Sequence, residues 1–404
     1  MKLDNVKLTL TKYKFKSLQL SIGSKIKHEI PNELVFTMTI VEDYDNYYFP
    51  YFELSIAVPN DIYRKMTSNN QKIKATFQLL KGKFTQAITI DENKNNSFKN
   101  ALKGSFYVFM DETTPDLTES EQKAVEKSEN QYGQLTTVRL LLYPYKYYKK
   151  FDLVVNTCLE DVTLVEALTY LLTKCDIDNV LLSPPNNYKK FSQFILTPIS
   201  ANQQIDRICN TYAIHKKGTL VFFGLDTLYL IDKQPKCTAY RTNEYKITYI
   251  VMSSKSPTSK QIGGCYVNTS DKFNVLNAIN LTVKNDNEYT SKTLGKNVVS
   301  VNSNGKISKT NKKQTTRTKV VVQEDGNAIT GSLKQSIKES KRILTVNFVD
   351  IDFNMITPNK QFIMTFDESI YKKYNGKYRL SKLVHTFIKE GDYFTISTNG
   401  EFRG

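Results

Sequence analysis

Tryptophan is absent from the 404 residues, histidine occurs three times and cysteine five times. Each scarcity removes a class of function. Cys158, Cys175, Cys209, Cys237 and Cys265 are odd in number and widely spaced, with no CxxC pair. That pattern predicts buried free thiols rather than a disulfide framework or zinc ligands. His28, His215 and His385 sit on separate strand or turn segments, without an acid or cysteine at ligand spacing. They are expected on the surface or on a sheet face, with no metal and no cofactor. No apolar run approaches the roughly 18 residues of a membrane span, and Met1 to Lys16 alternates lysine with apolar residues instead of forming a leader. The expectation is a soluble chain made in a cytoplasm, with no membrane anchor.

Catalytic motifs are missing as well. There is no GxSxG, HExxH or GxxxxGKS/T, and Gly263-Gly264-Cys265 alone is not a nucleophile motif. Asp350 and Asp352 stand two apart on one strand face, as a glycosidase pair would, but 40 acidic residues produce such pairs by chance. An enzyme is therefore not expected. A cell-wall hydrolase built on a carboxylate pair is the one catalytic reading left open.

What the chain has in quantity is aromatic residues, 25 Tyr and 22 Phe, set in period-two alternation. Its length exceeds the roughly 250–300 residues at which one core stops growing, so several domains are expected. Val6, Leu8 and Leu10 alternate with polar residues, as do Leu18, Leu20 and Ile22, and Ile73, Ala75, Phe77 and Leu79, which reads as an antiparallel barrel or sandwich. Strands at 34–41 and 52–58 are joined by Glu42 to Pro50. This connector mixes acids and aromatics and is either a long β-turn or an exposed docking loop carrying Asp43, Asp45, Tyr47 and Tyr48. A strand over 138–155 would put Tyr143, Tyr145 and Tyr147 on one face. That face is either a packed ladder at a sheet or subunit contact or, with its lysines, a platform for single-stranded bases.

Two capping boxes mark a small α+β unit over 161–231. Thr163-Leu164-Val165-Glu166 opens a helix to about Lys174, and Ser200-Ala201-Asn202-Gln203 opens a second with Ile205, Ile208, Cys209 and Tyr212 on one face. Gly218 then turns between the runs 212–215 and 219–223, with 228–231 following. A further alternating strand at 240–252 could close either the first barrel or the middle unit. A third box at Ser332 to Gln335 begins a short helix, and strands at 343–348, 361–366, 376–387 and 393–397 complete a second barrel-like domain.

Charge is uneven along the chain. The formal net charge is +16. Residues 111–131 carry seven acids against two lysines and read as a solvated loop or a loosely attached helix started near Thr118. Residues 284–319 carry nine basic residues against two acids in a low-complexity stretch read as a long mobile hairpin or loop. Within it, Lys306, Lys309, Lys312, Lys313 and Arg317 are the candidates for facing an anion or a channel. The alternative function that this charge suggests is sequence-independent nucleic-acid binding.

The Tyr-rich loop Glu42 to Pro50 running into Phe52-Glu53-Leu54-Ser55-Ile56, the segment Leu164 to Tyr170, the run Ile205 to Phe223 and the closing Tyr374 to Phe387 together resemble the baseplate hub proteins of bacteriophage tails. Hubs of contractile injection machines and the N-terminal region of tail-associated lysins share that fold. The resemblance implies a mainly β chain with an α+β insert: two tube-like antiparallel β-barrel domains, at 1–155 and 253–404, and a small two-helix α+β spacer domain at 156–252. It further implies a structural virion protein, a homotrimer whose pseudo-six-fold face meets the tail tube protein while its other end seats the central spike protein. Other baseplate proteins would assemble around it, and the central channel would allow DNA to pass.

Overall fold

The computed structural model describes residues 9–23, 26–45, 49–68, 73–85, 98–111, 117–177, 179–216, 218–224, 227–232, 244–251, 263–269, 272–284, 298–301, 307–309, 319–322, 343–349, 353, 356, 358, 361–366, 372 and 375–404. The N-terminal third contains β1 (Thr9–Ile22), β2 (Ile26–Glu29), β3 (Val35–Asp43), β4 (Tyr51–Pro59), α1 (Asn60–Thr67), β5 (Ile73–Thr85), β6 (Lys99–Asp111), α2 (Glu119–Tyr132) and β7 (Leu135–Pro144). Alternation decides which face turns inward. Leu18, Leu20 and Ile22 of β1 and Ile73, Ala75, Phe77 and Leu79 of β5 are buried, as are Phe52, Leu54 and Ile56 of β4. Inside, the Phe77 ring stacks on Phe106 at 4.7 Å and Phe52 meets Phe106 edge-on at 4.8 Å. Each such side chain removed from water contributes about 1.5–3 kcal/mol.

The middle of the chain forms α3 (Tyr145–Tyr148), β8 (Thr157–Thr163), α4 (Leu164–Lys174), β9 (Val180–Leu182), β10 (Lys190–Leu196), α5 (Ala201–Asp206), a π-helical turn at Arg207–Thr211, β11 (Thr219–Phe223) and β12 (Leu228–Asp232). Strand β8 pairs with β10, and β12 pairs antiparallel with β11 and parallel with β9. Leu164, Leu168 and Leu171 of α4 pack with Ile205, Ile208 and Cys209 in a core of their own. Only one of the two boxes in this unit forms. Thr163 caps α4, its hydroxyl accepting the Glu166 N–H at 3.3 Å while the Glu166 carboxylate accepts the Thr163 N–H at 2.7 Å. Ser200 makes no capping bond; its hydroxyl donates to the Asn202 side chain, whose oxygen accepts the Gln203 N–H. The run 212–215 is not a strand either, because the π-helical turn takes up the residues before it. Gly218, at φ +95°, makes the turn into β11.

The C-terminal part contains β13 (Glu244–Val251), β14 (Gly263–Thr269), β15 (Lys272–Lys284), β16 (Val298–Val301), β17 (Ile307–Lys309), β18 (Lys319–Val322), β19 (Ile343–Val349), β20 (Gln361–Phe366), β21 (Gly376–Glu390) and β22 (Tyr393–Arg403). Strand β13 joins neither of the units expected for it. It pairs antiparallel with β14 and parallel with β20. Strands β16 and β17 of the Lys-rich segment form a separate three-stranded sheet with β18, which begins at the segment's last residue. The capping box at 332–335 lies outside the described residues.

Fourteen strands belong to one mainly antiparallel sheet whose pairings return on themselves twice. The first circuit runs β1–β5–β6–β7–β4–β3–β21–β22 and back to β1. The second runs β22–β19–β15–β14–β13–β20–β21 and back to β22. Both circuits use β21 and β22. The change of partner is local: β21 pairs with β20 up to Arg379 and with β3 from Lys382, and its register against β22 shifts between Leu380 and Lys382. An extra residue of this kind bends a strand and increases its twist.

Candidate functional site

The switch in β21 is where the Glu42 to Pro50 connector arrives. Asp43, the last residue of β3, lies opposite Lys382, and its carboxylate accepts the Asp45 N–H at 3.0 Å, a side-chain-closed turn. The Tyr44 N–H donates to the Ser381 carbonyl at 2.9 Å. Asp45 then receives two arginines. Arg379 Nη1 donates to Oδ1 at 2.9 Å, and Arg403 Nε stands 3.1 Å from Oδ2. Arg403 also reaches Glu401 Oε1 at 3.0 Å through Nη2. The Arg379 side chain is only 3% exposed, so its charge needs a carboxylate beside it. Within the subunit Asp43 thus closes a turn and Asp45 neutralises a buried cation. Tyr47 and Tyr48 lie outside the described residues.

Next to this ion cluster is a second polar group. The Tyr44 hydroxyl donates to Glu42 Oε2 at 2.8 Å, and His385 Nε2 stands 3.9 Å from the same oxygen. His385 Nδ1 meets Thr398 Oγ1 at 2.8 Å. Burial lowers the His385 pKa to about 3 and raises that of Glu42, so both groups favour their neutral forms. The Tyr44 ring packs on Phe222 at 4.6 Å, so this corner also touches the middle unit.

Tyr145 and Tyr147 do not share a face. Strand β7 stops at Pro144 and the next four residues form a helical turn, in which positions two apart point to opposite sides. Tyr147 is buried and stacks on Phe223 at 4.6 Å. Tyr145 is 39% exposed, stacks on Tyr107 at 4.4 Å and lies under Lys74 Nζ, 4.1 Å from the ring centroid. Lys74 also donates to its hydroxyl at 2.9 Å. That bond lowers the Tyr145 pKa, while desolvation first and then the Tyr145 contact raise that of Tyr107 to about 12. Tyr143, Tyr148 and Phe109 extend the cluster over the outside of β6 and β7, with Tyr143 and Tyr148 5.0 Å apart and Phe109 44% exposed.

Of the basic candidates, Lys309 ends β17, and Lys306, Lys312, Lys313 and Arg317 lie outside the described residues. Within the acidic segment Glu119–Tyr132 is helical: Thr118 and Glu121 form a capping box at the start of α2, which has no buried residue.

Sequence reasoning missed one constellation. His215 is fully buried, not on a surface, with Nε2 2.9 Å from Ser183 Oγ and Nδ1 2.9 Å from Thr219 Oγ1. The same Ser183 oxygen accepts the Asp232 N–H at 2.8 Å. Burial lowers the His215 pKa. Ser183 and His215 are both 0% exposed, so the pair has no access for a substrate and serves to join β9, β11 and β12. The signal was available only in three dimensions, because Ser183 and His215 are 32 residues apart. Among the described residues no cluster of three or more His, Cys, Asp or Glu could hold a metal ion, and no helix is long and apolar enough to cross a membrane.

Comparison with solved structures finds the same fold in a tail protein from Neisseria meningitidis MC58. The TM-score is 0.50 at 11% identity, over 97% of this chain and 96% of that one. The 43 kDa tail protein of prophage MuSo2 from Shewanella oneidensis gives 0.49 at 10% identity, over 95% and 97%. The E. coli c3393 protein, a type VI secretion component described as structurally similar to T4 tail proteins gp27 and gp5, gives 0.44 at 9%, over 96% and 76%. At these identities the meningococcal likeness concerns fold alone. No curated protein matches in sequence. A family model described as Bacteriophage PBS1 gene 109 protein matches residues 5–401. The kinship with phage tail proteins read from the sequence is borne out at this level, and the chain belongs to the bacteriophage PBS1 gene 109 protein family.

Proposed function

We propose that this chain is the structural hub of a phage tail baseplate. Three copies close into a ring that joins the tail tube protein to the central spike protein, nucleates assembly of other baseplate proteins and remains in the virion. The observation that carries the reading is the pair of strand circuits sharing β21 and β22. A subunit with two similar tubes fused along one wall presents a repeated shape, so three subunits generate six positions around an axis, which suits contact with a six-fold tube. Membership of a phage protein family and the fold of a tail protein support the same conclusion. We take the two tube-like barrels and the spacer to be centred on 1–155, 253–404 and 156–252, with the shared wall at 376–403 completing both barrels. The role is non-enzymatic. The aromatic face around Tyr145 is assigned to contact with a neighbouring copy, because exposed tyrosines favour protein interfaces.

The deciding experiment is mass measurement in solution followed by particle imaging of the purified chain. A closed three-fold ring with a central channel is expected. A monodisperse monomer at micromolar concentration that does not bind tube protein overturns the proposal.

A further inference from the structure

We propose that the outward face of β1, β5 and β6 binds duplex DNA through its phosphates. The three strands are neighbours in the order β1–β5–β6, and their inward positions are apolar apart from Thr11. Their outward positions are different in kind. Lys12, Lys14 and Lys16 come from β1, Lys74 from β5 and Lys103 from β6. Strands β1 and β5 contain no acidic residue. Strand β6 has one, Asp111, at its last position with Arg139 3.9 Å away. The wall is thus a region of one sign, lysines with a single carboxylate at its end.

Register brings these lysines together. Ser17 faces Gln78, and Gln78 faces Lys103, while Lys16 protrudes at the irregularity between Phe15 and Ser17. Residues two apart on a strand are separated by about 6.8 Å and next-but-one strands by about 9.6 Å. Lys16 and Lys103 can therefore meet different phosphates of one duplex. Three of the cations are already positioned over rings: Lys12 Nζ is 5.8 Å from the Tyr393 centroid, Lys14 Nζ 4.3 Å from that of Phe98 and Lys74 Nζ 4.1 Å from that of Tyr145. Such contacts limit the rotamer freedom that a lysine would otherwise lose on binding. Between the lysines, Thr76 and Ser105 hydrogen-bond at 3.2 Å and Gln78 bonds Asn100, so the middle of the wall is polar and the rings of Phe98 and Tyr145 stand at its margins.

That composition separates DNA from a second copy of the chain as the occupant. Protein interfaces are depleted of lysine at their centres, whereas phosphate contacts favour lysine with Ser, Thr, Asn and Gln. Binding would be insensitive to base sequence. The inference stands apart from the trimer, since affinity and assembly state are measured separately.

The test is fluorescence anisotropy of the full chain with a labelled duplex of mixed sequence between about 50 and 200 mM salt. Wild type should bind, with affinity falling linearly in log–log form by about 0.9 per phosphate neutralised. Lys16→Glu with Lys103→Glu should weaken binding about tenfold or more and flatten the salt slope by about two. Lys312→Glu with Lys313→Glu, the same change of charge in the Lys-rich segment, should have little effect. Lys16→Gln with Lys103→Gln serves as a second pair should charge reversal disturb folding, and thermal unfolding checks both. Absence of wild-type binding at the lowest salt overturns the proposal, as do equal losses in the two charge-reversal pairs. It is also overturned if the Lys16 and Lys103 substitutions leave DNA binding intact and break the oligomer, which would make the wall a contact between copies.

Discussion

Arg379 Nη1 lies 2.9 Å from Asp45 Oδ1, across 334 residues of chain. The contact holds the end of β3, an N-terminal strand, to β21 at the position where β21 passes from one circuit to the other. Removing one partner of a buried pair leaves a charge without compensation, which costs about 3–5 kcal/mol. Asp45→Ala should lose stability of that order in chemical denaturation, and Asp45→Asn less, because it keeps one acceptor oxygen for Arg379 while losing the one that meets Arg403. Asp45→Leu combined with Arg379→Met should recover part of the loss. A change below about 1 kcal/mol for Asp45→Ala would mean that water or other groups already solvate Arg379.

Acid should weaken the protein through His385. Its folded pKa of about 3 lies below the ordinary 6.5, so the unfolded chain binds a proton that the folded chain refuses between those values. The stability it contributes is complete above pH 6.5 and is lost as pH falls toward 3, at up to about 1.4 kcal/mol per pH unit. Glu42 has the opposite sign. Its raised pKa gives stability that is present below the ordinary 4.5 and lost as pH rises through the folded value. His215 shifts downward as His385 does, so one residue is isolated by difference. The quantity to compare is the slope of unfolding free energy between pH 6.5 and 5 in wild type and His385→Asn, which should be shallower in the variant. Equal slopes would place the proton uptake elsewhere.

How much of this could be seen in the chain beforehand depends on the range of the interaction. Period-two alternation is local, so the inward residues Leu18, Leu20, Ile22, Ile73, Ala75, Phe77 and Leu79 were identifiable, and all are buried. The helix from Leu164 to Lys174 follows from its cap and apolar spacing. Closure of the circuits depends instead on which strand finds β21 and β22, and strand patterns carry no address. For the same reason Asp45 read as a loop residue: nothing near it announces Arg379 or Arg403. The histidines looked exposed because their partners Ser183, Thr219 and Thr398 are neutral hydroxyls, with no charge or spacing to mark them.

The two capping boxes of the middle unit offer a direct contrast. Thr163 and Ser200 precede helices with equal sequence credentials, yet only Thr163 accepts its N3 amide. Thr163→Ala should cost about 1 kcal/mol, the usual loss for a cap. Ser200→Ala should leave the unfolding midpoint nearly unchanged, because the side chain it loses bonds Asn202 rather than the helix amides. A comparable loss at both sites would show that α5 adopts the box in solution.

Tyr145 and Tyr147 supply the last contrast, between a core residue and a surface one only two positions away. Tyr147→Ala removes a buried ring stacked on Phe223, which should cost about 3–5 kcal/mol as for other large aromatic truncations. Tyr145→Ala removes a ring that lies between Tyr107 and Lys74 on the outside, and the unfolding midpoint should stay close to wild type. If this aromatic face meets a neighbouring copy, Tyr145→Ala should nonetheless shift the mass in solution from three copies toward one. Light scattering on the folded variant reads that shift. A Tyr145→Ala protein that is as stable and as oligomeric as wild type would remove the aromatic face from the assembly while leaving its packing role at Tyr147 untouched.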